Sequence, residues 1–202
     1  MYPYNYKKGQ TIQTNANGVS VDRAFAAHFQ VPATDALLSV TNGVIAAFAT
    51  SDTDVTEVTT GFTQPKGVKN LTVTAGGTAV DIKAVSVTIT GTNYADETIT
   101  EVMPVFVENT AGTKIGIKAF KTVTSVSVPA MDGAGVTIAV GFGEKLGLPF
   151  KLTHNTVLKT FLNNVVEGTA PTVATSATAL ESNTISLNSA LNGSIVDIYL
   201  MI

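Results

Sequence analysis

Between Val85 and Pro149, apolar and polar positions alternate along the chain. Val85, Val87 and Ile89, and then Ile99, Glu101 and Met103, fall on every second residue, the period that turns one face of a strand toward a core. The stretch GTNYADE separates the two runs and carries the glycine, asparagine and aspartate of a chain reversal. Two further runs, Thr122 to Val128 and Val136 to Val140, repeat the pattern on either side of MDGAG. No helical period is present. Short strands with turn signals between them predict half of an antiparallel sandwich or barrel.

The flanking regions carry similar signals. Asn42-Gly43 lies between the apolar runs Ala36–Val40 and Val44–Ala49, and Gly76-Gly77 splits LTVTAGGTAVDIKAVSVTIT. Asn192-Gly193 separates Thr184–Leu191 from Ser194–Leu200. Each dipeptide predicts a hairpin. Val21 to Gln30 is ambiguous, because Phe25 and Phe29 are spaced for a helical turn that Val31-Pro32 would end. Ser51 to Gly67 is expected to run along the surface. Past Pro149, Leu152, Val157, Leu158, Phe161 and Leu162 suit a short helix or a bent strand, and Ala170 to Leu180 a long loop or extended crossing.

These elements predict an all-β protein with three parts. Residues 1–30 form an extended arm. Residues 31–150 form a β-sandwich or jelly-roll-like core, clearest from Leu71 to Pro149. Residues 151–202 form a C-terminal segment with a terminal hairpin, packed on the core or on a neighbouring subunit.

Composition adds a further indication, beside the alternative that Thr, Ser and Asn solvate the exposed β faces. Only 13% of residues are charged, against about 25% in an average soluble domain, although a mean hydropathy of +0.29 provides ample core material. A surface so poor in charge is expected to be covered by other subunits. Two segments suit such contacts. Tyr2, Tyr4 and Tyr6 alternate around Pro3, and each tyrosine offers a large area at low entropic cost. The apolar C-terminal run contributes Ile195, Val196, Ile198, Tyr199 and Leu200, and is expected to be locked into a sheet or a subunit contact.

Other classes lose ground. With a net charge of -3 and scattered lysines, the chain has no basic stripe for a phosphate backbone, so no direct nucleic-acid partner is expected. Absence of cysteine excludes disulfides, thiolate metal sites and thiol catalysis. MYPYNYKKGQT lacks a signal-peptide core, and VIAAFA is far shorter than the roughly 20 residues of a membrane span. Synthesis in a cytoplasm and no membrane insertion are the expectations.

Catalytic and metal chemistry find little support. His28 and His154 have no carboxylate or second histidine two to four residues away, and no Gly-x-Ser-x-Gly elbow is present. Gly141, Gly143 and Gly147 are spaced one residue too long for a dinucleotide loop, and Pro149 blocks the helix such a loop needs, so a tight loop leaving a strand is expected. Asp52, Asp54 and Glu57 lack EF-hand spacing and suit a solvated acidic loop. Asp96, Glu97 and Glu101 suit a charged hairpin tip. No catalytic, cofactor or metal residues are expected.

The order of phrases carries a resemblance. TITGTNYADETITEVMPVF, KAFKTVTSVSVPAMDG, VGFGEKLGLP and then NTVLKTFLNNVVEGTAPTVATSATALESNTISLNSALNGSIVDIYLM resemble a group of tailed-bacteriophage virion structural proteins, over Ala75 to Ile202. That resemblance implies a head decoration, or cement, protein built from β-sandwich modules, made in the bacterial host cytoplasm and carried on the outer surface of the head. It also implies the major capsid protein as partner, a homo-oligomer (a trimer above all), and no family catalytic residues. The neighbouring alternatives are a tail-tube, neck or adaptor component, or a host-binding virion adhesin.

Overall fold

The structure, a computed structural model, describes residues 11–13, 20–22 and 24–202, the first two stretches as backbone. Tyr2, Tyr4 and Tyr6 lie outside the described residues. In chain order the strands are β1 (Thr11–Gln13), β2 (Ser20–Asp22), β3 (Ala26–Val31), β4 (Val40–Ala49), β5 (Thr56–Val58), β6 (Lys69–Gly77), β7 (Thr88–Thr92) and β8 (Thr98–Val102). They continue with β9 (Gly112–Phe120), β10 (Thr122–Val128), β11 (Val136–Gly147), β12 (Val157–Leu162), β13 (Val165–Val166), β14 (Thr172–Ala174), β15 (Thr184–Ser186) and β16 (Val196–Met201). Helical structure among the described residues is confined to two 3-10 turns, Ala79–Asp81 and Leu180–Ser182. The protein is all-β with a β-sandwich-like core.

One sheet has the order β5-β10-β7-β8; the other has the order β14-β15-β11-β6-β9, with β4 also paired to β11. The alternating positions point as the period of two requires. Val87, Ile89, Ile99 and Met103 of the first sheet, with Val123, Val126 and Val128, are buried against Leu71, Val73, Ala75, Val136, Ile138 and Val140 of the second. The GTNYADE reversal joins β7 to β8, with Asn93 Oδ1 accepting the N–H groups of Ala95 and Glu97 and Asp96 taking φ 61°. Beside this reversal the chain changes sheets at Lys121, the single residue between β9 and β10, whose N–H donates to the Thr92 carbonyl.

A second, smaller core lies under a separate sheet, β13-β12-β16-β3. Val196, Ile198 and Leu200 of β16 are fully buried there with Val31, Leu146, Leu148, Leu152, Ile185 and Leu191. Asn183, also fully buried, holds the surrounding loops: its Oδ1 accepts the N–H groups of Leu152 and Ser176, and its Nδ2 donates to the carbonyls of Ser176 and Ala179. β11 serves both cores, with Phe142 in the larger and Leu146 in the smaller.

Several local expectations are overturned. None of the three dipeptides makes a hairpin. Asn42-Gly43 lies inside β4, neither residue takes a left-handed φ, and the pairing with β11 shifts there, so the step is a bulge in one long strand. Gly77 does reach φ 83°, but it ends a strand that pairs with β9 and β11, and the next strand belongs to the other sheet. Asn192-Gly193 connects β15, paired with β11 and β14, to β16, paired with β12 and β3. The terminal hairpin is therefore absent, because each flanking run finds a more distant partner. The ambiguous Val21–Gln30 region contributes a strand, and β12 takes the bent-strand form with a register shift at Val157/Lys159. The glycine-rich GFGEKLG continues β11 to Gly147 and is not a loop.

Candidate functional site

Bulges, held by side chains, shape the surface of the larger module. In β9 the pairing with β6 slips between Ile115 and Ala119, leaving Gly116, Ile117 and Lys118 without ladder partners on that side. Glu101 of β8 fills the gap: its Oε1 accepts the N–H of Ile117 at 2.6 Å and of Lys118 at 3.2 Å. Asn70 takes the other side, donating from Nδ2 to the Gly116 carbonyl and accepting the Lys145 N–H. Gln64 does the same for the bulge in β10, exchanging two hydrogen bonds with Val123. In each case one planar side chain replaces missing strand pairing, the cheapest repair for a buried peptide group.

The Glu101 staple also joins two free edges. β8 ends one sheet and β9 ends the other. Lys118 Nζ reaches across the seam to the Thr100 carbonyl at 3.0 Å and pairs with Glu181 at 3.4 Å. Burial pushes the Glu101 carboxyl above its ordinary range, while the two N–H groups and the lysines at 118 and 145 oppose that shift. The expectation of Glu101 as part of a charged hairpin tip is thus corrected. It is 5% exposed and belongs to the inward face of β8, while Asp96 stays outside and pairs with Lys121 at 2.7 Å. Along the seam, Val102, Ile115 and Ile117 remain exposed, Val102 and Ile117 at 65% each.

A second cluster stands on the outer face of the C-terminal sheet. Antiparallel pairing places Tyr199 opposite His28 and Asp197 opposite Gln30. Asp197 accepts from Gln30 at 2.8 Å and meets His28 Nε2 at 2.7 Å. The Gln30 amide first, and then His28, hold its carboxyl below the ordinary range against the opposing effect of burial. The His28 ring stacks on Tyr199 at 4.6 Å, and Phe161 meets Tyr199 edge-on at 5.7 Å. The carboxylate that a local search around His28 does not find comes from 169 residues away.

The third unusual group is Lys69. Its side chain is fully buried where the two cores meet, opposite Leu146 on β11, with Nζ donating to the Leu37 carbonyl at 2.5 Å and lying 5.0 Å from the centre of the Phe142 ring. Burial lowers its pKa to about 8, although Glu144 and Asp35 pull the other way.

The remaining predicted positions fall as follows. Of the C-terminal contact residues, Val196, Ile198 and Leu200 are buried inside their own chain and are unavailable to a neighbouring subunit; β16 is an interior strand, so its alternate residues face the core. Ile195 and Tyr199 reach the surface at 38% and 41% exposure. His154 bonds Thr153 on an exposed loop. Asp52, Asp54 and Glu57 are exposed, their loop closed by Ser51 Oγ accepting the N–H groups of Thr53 and Asp54. Among the described residues, no three histidine or carboxylate groups gather as metal ligands would. No helix among them is long and apolar enough to cross a membrane.

The partners of Glu101 lie on β9, beyond the reach of any local motif. The weak signal available was a carboxylate at a core-facing position of an alternating strand. No family model, curated protein or solved structure matches the chain.

Proposed function

We propose that the protein is a non-enzymatic virion structural protein of a tailed bacteriophage, a decoration protein that self-associates and binds the major capsid protein on the outer face of the head. The observation that carries this reading is the exposed apolar patch at the seam of two free sheet edges, Val102, Ile115 and Ile117. Natural edge strands normally carry charge or a cover, and an uncovered apolar edge marks a binding surface. Low charge over the whole chain supports the same reading, as does the resemblance of its phrases from Ala75 onward. A cement subunit acts by adding buried area across seams of the shell, which needs rigid β modules and apolar contact surface but no reacting group.

The deciding experiment mixes the purified protein with empty expanded capsids and images the particles by electron cryomicroscopy. Density at three-fold or quasi-three-fold positions of the outer face, with greater heat resistance of the shell, is the expected outcome. Bare capsids beside six-membered rings of the protein would overturn it in favour of a tail-tube component.

A further inference from the structure

Most free sheet edges of this chain are short or repaired, and one is neither. Among the described end strands, β1, β2, β5, β13 and β14 have three residues or fewer. β4 carries two shifts of register, and β8 and β9 are bridged at their seam by Glu101 and Lys118. β3, six residues long, ends the smaller core's sheet and pairs with β16 without a shift from Ala26 to Val31. Just before it, Phe25 and Ile202 exchange both backbone bonds. By antiparallel alternation, Ala27, Phe29 and Val31 therefore bond to β16, and the N–H and C=O groups of Ala26, His28 and Gln30 point away from it. These three residues are exposed, and their outward groups have no hydrogen-bond partner among the described residues. Natural sheets guard such an edge with charge, proline or a bulge, and β3 contains none of the three.

We propose that this edge is a dimer contact, in which β3 pairs antiparallel with β3 of a second copy about a two-fold axis at His28. The register follows from the strand itself. His28 faces His28 of the second copy and Ala26 faces its Gln30, so every outward group finds a partner, each facing pair exchanging both bonds. On the core side, small Ala27 comes opposite large Phe29 in both halves. Both residues already pack against the smaller core, which the contact extends across the axis. On the outer side, the stacked rings of Tyr199 and His28 meet those of the second copy. Electrostatics suit a second copy. β3 brings no lysine, arginine or carboxylate to the axis, and Asp197 beside it is held by His28 and Gln30 of its own chain. At the Gln30 end, a cleft of about 250 Å³ lined by Phe29, Gln30, Pro65 and Tyr94 leaves room for the incoming chain beyond Ala26. The two four-stranded sheets then become one. This contact joins chains in pairs, unlike the trimer that the resemblance implies, and it does not rest on the virion reading.

Light-scattering mass of the full chain tests the contact. The wild type is expected to be a dimer, and Ala26→Pro to associate at least about tenfold more weakly with an unchanged melting temperature. That substitution removes an outward N–H from each copy and none that bonds to β16. A second test adds a single cysteine to a chain that has none. Facing residues of such a pair lie about 5.5 Å apart at Cα, within the span of a disulfide, so His28→Cys is expected to crosslink into a covalent dimer on mild oxidation. Val55→Cys, exposed beside β5, is expected to stay single. Where Ala26→Pro fails to fold, the crosslink decides. A monomeric or trimeric wild type, a dimer that Ala26→Pro leaves intact, or equal crosslinking of the two cysteine variants would each overturn the proposal. Capsid coating is read separately: a dimer that leaves capsids bare sinks the virion reading alone, and a monomer that coats them sinks this contact alone.

Discussion

The two cores of this molecule are built from the same kinds of residue but from very different stretches of chain. Apart from Val44, the buried residues of the larger core all fall between Leu71 and Phe142, and most lie on strands adjacent in sequence. The smaller core is collected from three distant places: Val31 and Ala36, then Leu146 to Leu152, then Ile185 to Leu200. Its sheet depends on β16 pairing with β3, a contact spanning nearly the whole chain. The larger core can begin to form from local reversals such as the β7–β8 hairpin. The smaller one must close long loops before any apolar area is buried. They are nonetheless tied together, since β11 runs through both and Lys69 sits at their junction.

That tie sets the first expectation. Phe120→Ala in the larger core is expected to cost about 3–5 kcal/mol, and Ile198→Ala in the smaller about 2–5 kcal/mol. Because β11 is shared, both variants should shift a single urea transition seen alike by circular dichroism and by tyrosine fluorescence. Two separated transitions in Ile198→Ala, with the larger core surviving the first, would break the view of one cooperative unit.

The junction itself can be probed by pH. Lys69 titrates near pH 8 in the folded chain and at about 10.5 when unfolded, so between those values the unfolded chain holds the extra proton. Stability should therefore rise as pH climbs from 8 to 10.5, by at most about 3 kcal/mol, with little change from this group below pH 8. Lys69→Met should flatten that rise in denaturation curves taken at pH 8, 9 and 10. An unchanged slope would mean that the ammonium is solvated where the cores meet.

The smallest effect is expected at the seam of the larger module. A Cβ added at Gly116 would lie 2.7 Å from Glu101 Oε2, whereas one at Gly112, on the same strand, meets nothing within 4 Å. Gly116→Ala should cost about 1–3 kcal/mol by displacing the carboxylate that caps the β9 bulge, and Gly112→Ala close to nothing. Equal stabilities in thermal melts would show that the staple is dispensable.

How much of this was readable beforehand differs between the two cores. The alternation at Val87 and Ile89 and at Ile99, Glu101 and Met103 matches the buried positions, although the charged-tip reading of Glu101 fails and the alternating Ile115 and Ile117 of β9 are exposed; the GTNYADE reversal joins the strands it separates. The other turn dipeptides misled. Asn-Gly and Gly-Gly report that a chain can bend tightly, and here the flanking segments had better partners elsewhere. β4 needed a bulge at Asn42-Gly43 against β11, and the strands around Asn192-Gly193 went to different sheets. The His28–Asp197–Tyr199 group was invisible for the same reason, as its members come from opposite ends of the chain.

Side-chain periodicity acts over a few residues, and it was enough to make the protein all-β and rich in core-forming strands, while the absence of cysteine made it disulfide-free. In β7 and β8 it also marked which face turns inward. Pairing is a different kind of decision. Every strand with a buried face could in principle lie beside many others, and the choice is made by the total area buried and the backbone groups satisfied over the whole fold. Only that global balance put β16 between β3 and β12, buried Lys69 between two cores, and brought Glu101 to the bulge in β9 that it caps.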